Sequence, residues 1–307
     1  MRIYLLAYLL IYASTIVGQT LPEELTPPNS IKLKDNLYID KTEIANIHWL
    51  EILHYYNLDS ARSDYLSMLP DTTVWDNVAG TDSTWGNFYL RFPKNRYKPI
   101  VGVTKEQAEK YCKWRSFSVN GVYNKKHSKK LQREGIDSVI YQFRLPTVSE
   151  WKMAAFGENK TYYTLANLPL SKPKLSLEGA DNEGVHAVLS DTVNYNKFKI
   201  DVATYVEQLR PDFQLLPDSI PYFVTLTDLM PRKNYEGTPN ALGVFHTIGN
   251  VAEMVANENV VMGGSWLHTF EKVNQAEGDY WDGKKAQSWI GFRCVCEVTI
   301  IGNDNTQ

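Results

Sequence analysis

The sequence predicts an α+β fold with little regular secondary structure, on three observations. Thr104 with Gln107 and Thr147 with Glu150 have the spacing of helix capping boxes, and Glu43 to Tyr56 has mostly helical apolar spacing. The last apolar stretch reads as a strand with Cys294 and Cys296 on one face. Long turn-rich stretches, 57–98, 157–240 and 271–288, separate the helices.

The elements follow in order. Met1-Arg2, an apolar run from Ile3 to Val17, and Gly18-Gln19-Thr20 form the charged start, hydrophobic stretch and small-residue exit of a secretory signal, expected over 1–18. The apolar run is shorter than the ~20 residues that span a bilayer, and no basic stop-transfer cluster follows. No cysteine lies near Gly18 to carry a lipid, so the chain is expected to be exported, periplasmic or surface-associated, not lipidated, and on a membrane only through a partner. Pro22, Pro27 and Pro28 mark 19–36 as an extended leader, with order beginning near Ile31. A single domain is expected over 37–298, with 299–307 as a tail. Its first helix carries Ile44, Ile47, Leu50, Ile52 and Leu53 and stops near Asn57 to Ser60. The second opens at Thr104 and turns Ala108, Tyr111, Cys112 and Trp114 inward. The third runs from Thr147 to Phe156.

Composition narrows the function. The chain has 307 residues, 43% of them hydrophobic and 12% aromatic, ample for a packed core. A net charge of -3 with both signs interspersed supplies no basic face for a phosphate backbone, which argues against nucleic acid as a partner. No nucleophile elbow and no phosphate-binding glycine loop occurs.

Seven segments form an ordered set: Tyr38 to Glu43, Pro99 to Val103, Ala108 to Trp114, Phe143 to Thr147 with Glu150-Trp151, Gly249 to Glu253, Gly263-Gly264-Ser265-Trp266, and Gly291 to Cys294. The set resembles the formylglycine-generating enzyme family, or sulfatase-modifying factors, over roughly 37–296. That resemblance implies a variant of the C-type-lectin-like fold with little regular structure. It also implies a disulfide between Cys112 and Cys294, and leaves Cys296 as a small buried hydrophobe.

The same resemblance locates the chemistry. The family holds copper with two cysteine thiolates, three and eight residues after the serine of Gly-Gly-Ser, a soft pair suited to Cu(I). Here those positions are His268 and Val273, so copper is not expected and formylglycine generation is rejected as the activity. A family calcium site implies Gly249, Val251 and Glu253 as ligands, with His246 where an oxygen donor is usual; a nitrogen there suits a hard cation poorly. Asn194, before Tyr195, is the candidate for a separate calcium site. Arg144 and Arg293 read as partners for buried carboxylates.

Leu69 to Trp75, Trp114-Arg115-Ser116 and Asn120 are similar to segments of gliding-motility and type IX secretion lipoproteins with this fold. The resemblance implies a non-catalytic envelope scaffold that binds secretion-system or other envelope proteins, a pseudoenzyme. The alternative is an oxygen- or metal-dependent enzyme acting on exported proteins, with His268 as an altered ligand. Trp75, Trp85, Phe88 and Tyr89, crowded with Phe92 into one short stretch, are the candidate interface, with 197–240 as a second contributing insertion.

Overall fold

A computed structural model describes residues 21–59, 62–76, 78, 81, 84–157, 230–237, 239–268 and 278–302. The expected signal segment, Asn194, Val273, residues 197–229 and 238 of the second insertion and the end of the tail lie outside the described residues. Among the described residues, no helix is long and apolar enough to cross a membrane.

Two four-stranded sheets organise the molecule. The first has the order β1-β2-β8-β3, from Ser30–Lys34, Leu37–Asp40, Val295–Gly302 and Ile136–Arg144, each neighbouring pair antiparallel. The second has the order β6-β5-β4-β7, from Asp279–Tyr280, Val260–Met262, Ala252–Met254 and Ile290–Gly291. Its β4 and β7 are parallel.

The long helix α4 (Lys105–Lys126) covers the first sheet, and its start is set locally. Thr104 Oγ1 accepts from the Gln107 amide while Gln107 Oε1 accepts from the Thr104 amide, the predicted reciprocal cap. The helix runs well past Trp114 because it has work to do along β3, an edge strand. Ser116, Asn120 and Asn124 recur every four residues, a rise of about 6 Å, which nearly matches a two-residue step along a strand. They meet Phe143, Tyr141 and Val139 in turn. Each asparagine side chain both donates to a strand carbonyl and accepts from a strand amide at 2.8–2.9 Å, and Ser116 Oγ accepts from the Phe143 amide at 2.8 Å. Helix side chains thus take the place of a fifth strand and close the edge. Asn120 is therefore a fold residue.

Helix α6 (Val148–Phe156) has its predicted cap at Thr147, and Glu150 also pairs with Arg144 at 2.7 Å. The short α5 (Ser128–Arg133) follows α4, and helix α1 (Asn46–Asp59) begins at Asn46 and not at Glu43. Residues 43–45 are held extended, since the Ile44 amide donates to Phe292 O, Ile44 O accepts from the Ile100 amide, and Ala45 bridges to Pro99.

Three boundaries differ from expectation. The leader is packed: Leu25 is 1% exposed, Tyr141 donates to its carbonyl, and β1 is already paired within the leader. Strand β8 continues to Gly302, beyond the expected domain end, because β3 offers a partner up to Ile136. The 57–98 stretch holds regular structure: α2 (Arg62–Ser67), α3 (Trp85–Arg91), and 3-10 turns at Thr72–Trp75 and Pro93–Asn95. Gly86 explains how α3 docks, since a Cβ there would fall 2.5 Å from Thr72 Cβ.

Candidate functional site

The Gly-Gly-Ser-Trp turn follows β5 and needs its glycines. Gly263 and Gly264 have φ of 86° and 68°, and a Cβ at Gly263 would lie 2.7 Å from Thr247 O. The turn aims Trp266 into the core, where it is 0% exposed and its indole donates to Ser288 O. Ser265, also buried, is hydrogen-bonded to His268 Nδ1 at 2.7 Å. His268 Nε2 faces Asp279 Oδ2 at 3.6 Å, and Trp289 packs edge-on against the imidazole at 4.9 Å. The ring is fixed on three sides. Ser265 itself has no exposed surface from which to attack a substrate.

Beside this turn lies a buried charged network. Glu253, in β4, is 0% exposed and is gripped by Arg293: Nε donates to Oε2 at 2.6 Å and Nη2 donates to Oε1. Trp151 Nε1 adds a third donor, to Oε2 at 2.8 Å. The remaining Arg293 donors reach Asp40 O, Lys41 O and Phe245 O. A second pair joins Arg115 to Asp40 through both carboxylate oxygens, at 2.7 and 2.8 Å.

Glu43 is the carboxylate without a guanidinium of its own. Its Oε1 accepts from Asn250 at 2.8 Å, its Oε2 has no partner among the described residues, and it is 0% exposed. Burial pushes its pKa up to about 7. Burial, then the Arg293 charge, pushes His246 down to about 4, so its imidazole is neutral. His246 cannot be the charged partner of Glu253; Arg293 fills that role. Glu43 was visible in the sequence only as a member of the first motif, and its partner Asn250 lies 207 residues away.

His246 and Glu253 lie close enough to interact electrostatically, the Gly249 amide donates to Gly263 O, and Val251 packs in the cluster of Trp75 and Trp266; His246 has the left-handed φ of 51° that asparagine adopts readily. Asn194 lies outside the described residues. Cys112 and Cys294 meet with their sulfurs 3.4 Å apart between α4 and the first sheet, as buried thiols, and Cys296 is buried nearby. Two interface candidates are corrected. Trp75 and Tyr89 are each 2% exposed, packed 4.7 Å apart with Trp266 beyond, and the Tyr89 hydroxyl donates to Pro99 O. Their rings are core because the 3-10 turn and α3 fold back onto the Gly-Gly-Ser-Trp turn. Trp85 is partly buried against the same cluster, whereas Phe88 is 40% exposed and stacks on Phe92 at 4.4 Å.

The sulfatase-modifying factor enzyme 1-like domain model matches residues 13–298. The chain belongs to that family. No curated protein matches it. Among solved structures it is similar to CarF, with 17% identity, 84% of this chain and 85% of that chain covered, and a TM-score of 0.45. It is also similar to Treponema denticola variable protein 1 (15%, 85% and 84%, TM-score 0.40) and to PvdO from Pseudomonas aeruginosa (14%, 85% and 80%, TM-score 0.38). The α+β architecture is that of a sulfatase-modifying-factor fold.

The residues at the metal positions that the resemblance implies can be tested by their donor chemistry. At the copper site, His268 is an imidazole already engaged by Ser265, and Val273 offers no lone pair, so the donor set does not fit a two-thiolate Cu(I) centre. At the calcium site, the nitrogen of His246 replaces an oxygen and Arg293 already neutralises Glu253, so the donor set does not fit a hard cation.

Proposed function

We propose that this member of the family is a non-catalytic, exported scaffold of the cell envelope that binds another protein in a secretion or gliding-motility type assembly. The observation that carries this reading is the divergence between frame and chemistry. The turn glycines, the buried Trp266 and the Glu253–Arg293 pair hold the frame, while the positions where the resemblance implies copper ligands carry His268 and Val273. Binding functions are commonly built on loops carried by a rigid fold. The stacked Phe88 and Phe92, at the surface of the 57–98 insertion, are the contact residues in this reading, in place of Trp75 and Tyr89.

The test is chemical. Cu(I) titration of purified protein is expected to show no tight stoichiometric binding, and a peptide bearing a sulfatase cysteine motif is expected to remain unoxidised. Conversion of that peptide above a no-protein control overturns the scaffold reading. It would favour the second one, an oxygen- or metal-dependent enzyme on exported proteins, for which the ordered Ser265–His268–Asp279 chain would be the starting point.

A further inference from the structure

A cleft of about 370 Å³ lies between α1 and α4, away from the Gly-Gly-Ser-Trp turn. Tyr111 and Trp114 form an aromatic corner in its wall, their rings 5.5 Å apart and tilted by 49°. Glu51 lines it from α1 and is solvent-exposed, and Val122 forms an apolar rim at 60% exposure.

The charge balance of this cleft is negative. Arg115 also lines it, but both its terminal nitrogens are committed to Asp40, and one holds Pro28 O at 2.9 Å, which fixes the leader as one wall. His48 is neutral near pH 7, since burial and then the Arg115 charge push its pKa below the usual value. Lys126 is drawn to the ring of Tyr123, 6.0 Å away. That leaves Glu51 as the carboxylate lining the cleft; burial raises its pKa, and the Arg115 charge, shared with Asp40, offsets that in part. The volume falls within the range of about 300–1,000 Å³ typical of small-molecule sites.

We propose that this cleft binds a quaternary ammonium group, with Glu51 as counter-charge and Trp114, backed by the buried Tyr111, as its aromatic wall. A carboxylate beside tilted aromatic rings suits a soft, weakly hydrated cation: the ring quadrupole attracts the charge and the apolar rim takes the methyl groups. The site is preformed, because Tyr111 is also stacked on Trp49 at 5.7 Å and Asn29 is tied to Thr42 at 3.0 Å.

Choline is the probe, and 3,3-dimethylbutan-1-ol, its uncharged isostere, is the control, both followed by NMR on the folded chain. Choline is expected to give saturable shifts at the Trp114 indole and the Val119 and Val122 methyls, with the isostere weaker by about tenfold. Glu51→Gln, a change at an exposed position, should weaken choline by a similar factor and remove its advantage over the isostere. Val122→Lys, which places a like charge at the rim, should also weaken it. Absence of saturable shifts with wild type, equal binding of the isostere, or unchanged affinity in Glu51→Gln overturns the proposal. Sedimentation with phosphatidylcholine vesicles separates the sources of the group: co-sedimentation that free choline competes away assigns a lipid headgroup, and choline binding without co-sedimentation assigns a free cation.

Discussion

Glu43 and His246 give opposite pH dependences to stability, and single substitutions should separate them. Between its ordinary value of 4.5 and about 7, Glu43 is protonated in the native state and ionised in the unfolded one. The native state then binds more protons, so this group's contribution falls as pH rises through that window. His246 behaves in the reverse sense. Between about 4 and its ordinary 6.5 the unfolded state binds the proton, so its contribution falls as pH drops. Each slope approaches about 1.4 kcal/mol per pH unit, and over the shared window they nearly cancel. Glu43→Gln keeps the acceptor for Asn250 and removes the falling limb, so relative to wild type it should gain up to about 3 kcal/mol between pH 4.5 and 8. His246→Asn, tolerated at φ 51°, should gain a similar amount relative to wild type as pH falls from 7 to 4. Urea unfolding midpoints at pH steps, with m-values checked for constancy, measure both. Curves for the variants that run parallel to wild type would refute the reasoning, because they would show that neither buried group has a shifted protonation equilibrium.

Four further outcomes are expected. Oxidised protein should leave one alkylatable cysteine by intact mass, because the sulfurs of Cys112 and Cys294 are in contact, and closing a loop of 182 residues should stabilise by several kcal/mol on the loop-entropy model; three alkylated thiols would rule the bond out. Arg293→Met should cost about 3–5 kcal/mol by stranding Glu253, read by chemical denaturation. Wild-type melting should be indifferent to EDTA and to millimolar Ca²⁺, while a calcium-dependent rise confined to His246→Asn would show that the nitrogen donor is what defeats the site. Phe88→Ser with Phe92→Ser should weaken co-purification of envelope partners at nearly unchanged melting temperature, whereas Tyr89→Ala should cost several kcal/mol as a core truncation.

What was legible in the sequence was local. The caps at Thr104 and Thr147 need only residues three apart, and both formed as read. Strand β3 went unread although Val139, Tyr141 and Phe143 alternate. Half of what defines it as a strand is β8 on one side and Asn120 and Asn124 on the other, and those side chains sit in a helix. The 57–98 stretch misled for the same reason. Its helices are short, below the length at which a helix is stable alone, and depend on packing: α2 lies against α1, and Gly86 lets α3 settle against Thr72. Crowded aromatics there suggested a sticky surface. The fold instead divides them, burying Trp75 and Tyr89 and leaving Phe88 and Phe92 outside. At the candidate site, the motifs could be listed from the sequence, but the pairing of charges could not. Arg293 and Glu253 lie 40 residues apart and Glu43 and Asn250 lie 207 apart, so only the folded chain shows which carboxylate holds the guanidinium.

That division bears on how the family's motifs report function. Gly263 is fixed by the approach of Thr247, Trp266 by the Ser288 carbonyl, and Arg293 by Glu253 and three backbone carbonyls. Each is required by packing or by the cost of a buried unpaired group, whatever the protein does. Their presence therefore reports the fold. His268 differs in kind: it is bonded to Ser265 and faces Asp279, while Val273 lies outside the described residues. The scaffold reading proposed above therefore rests on those two positions and not on the motifs.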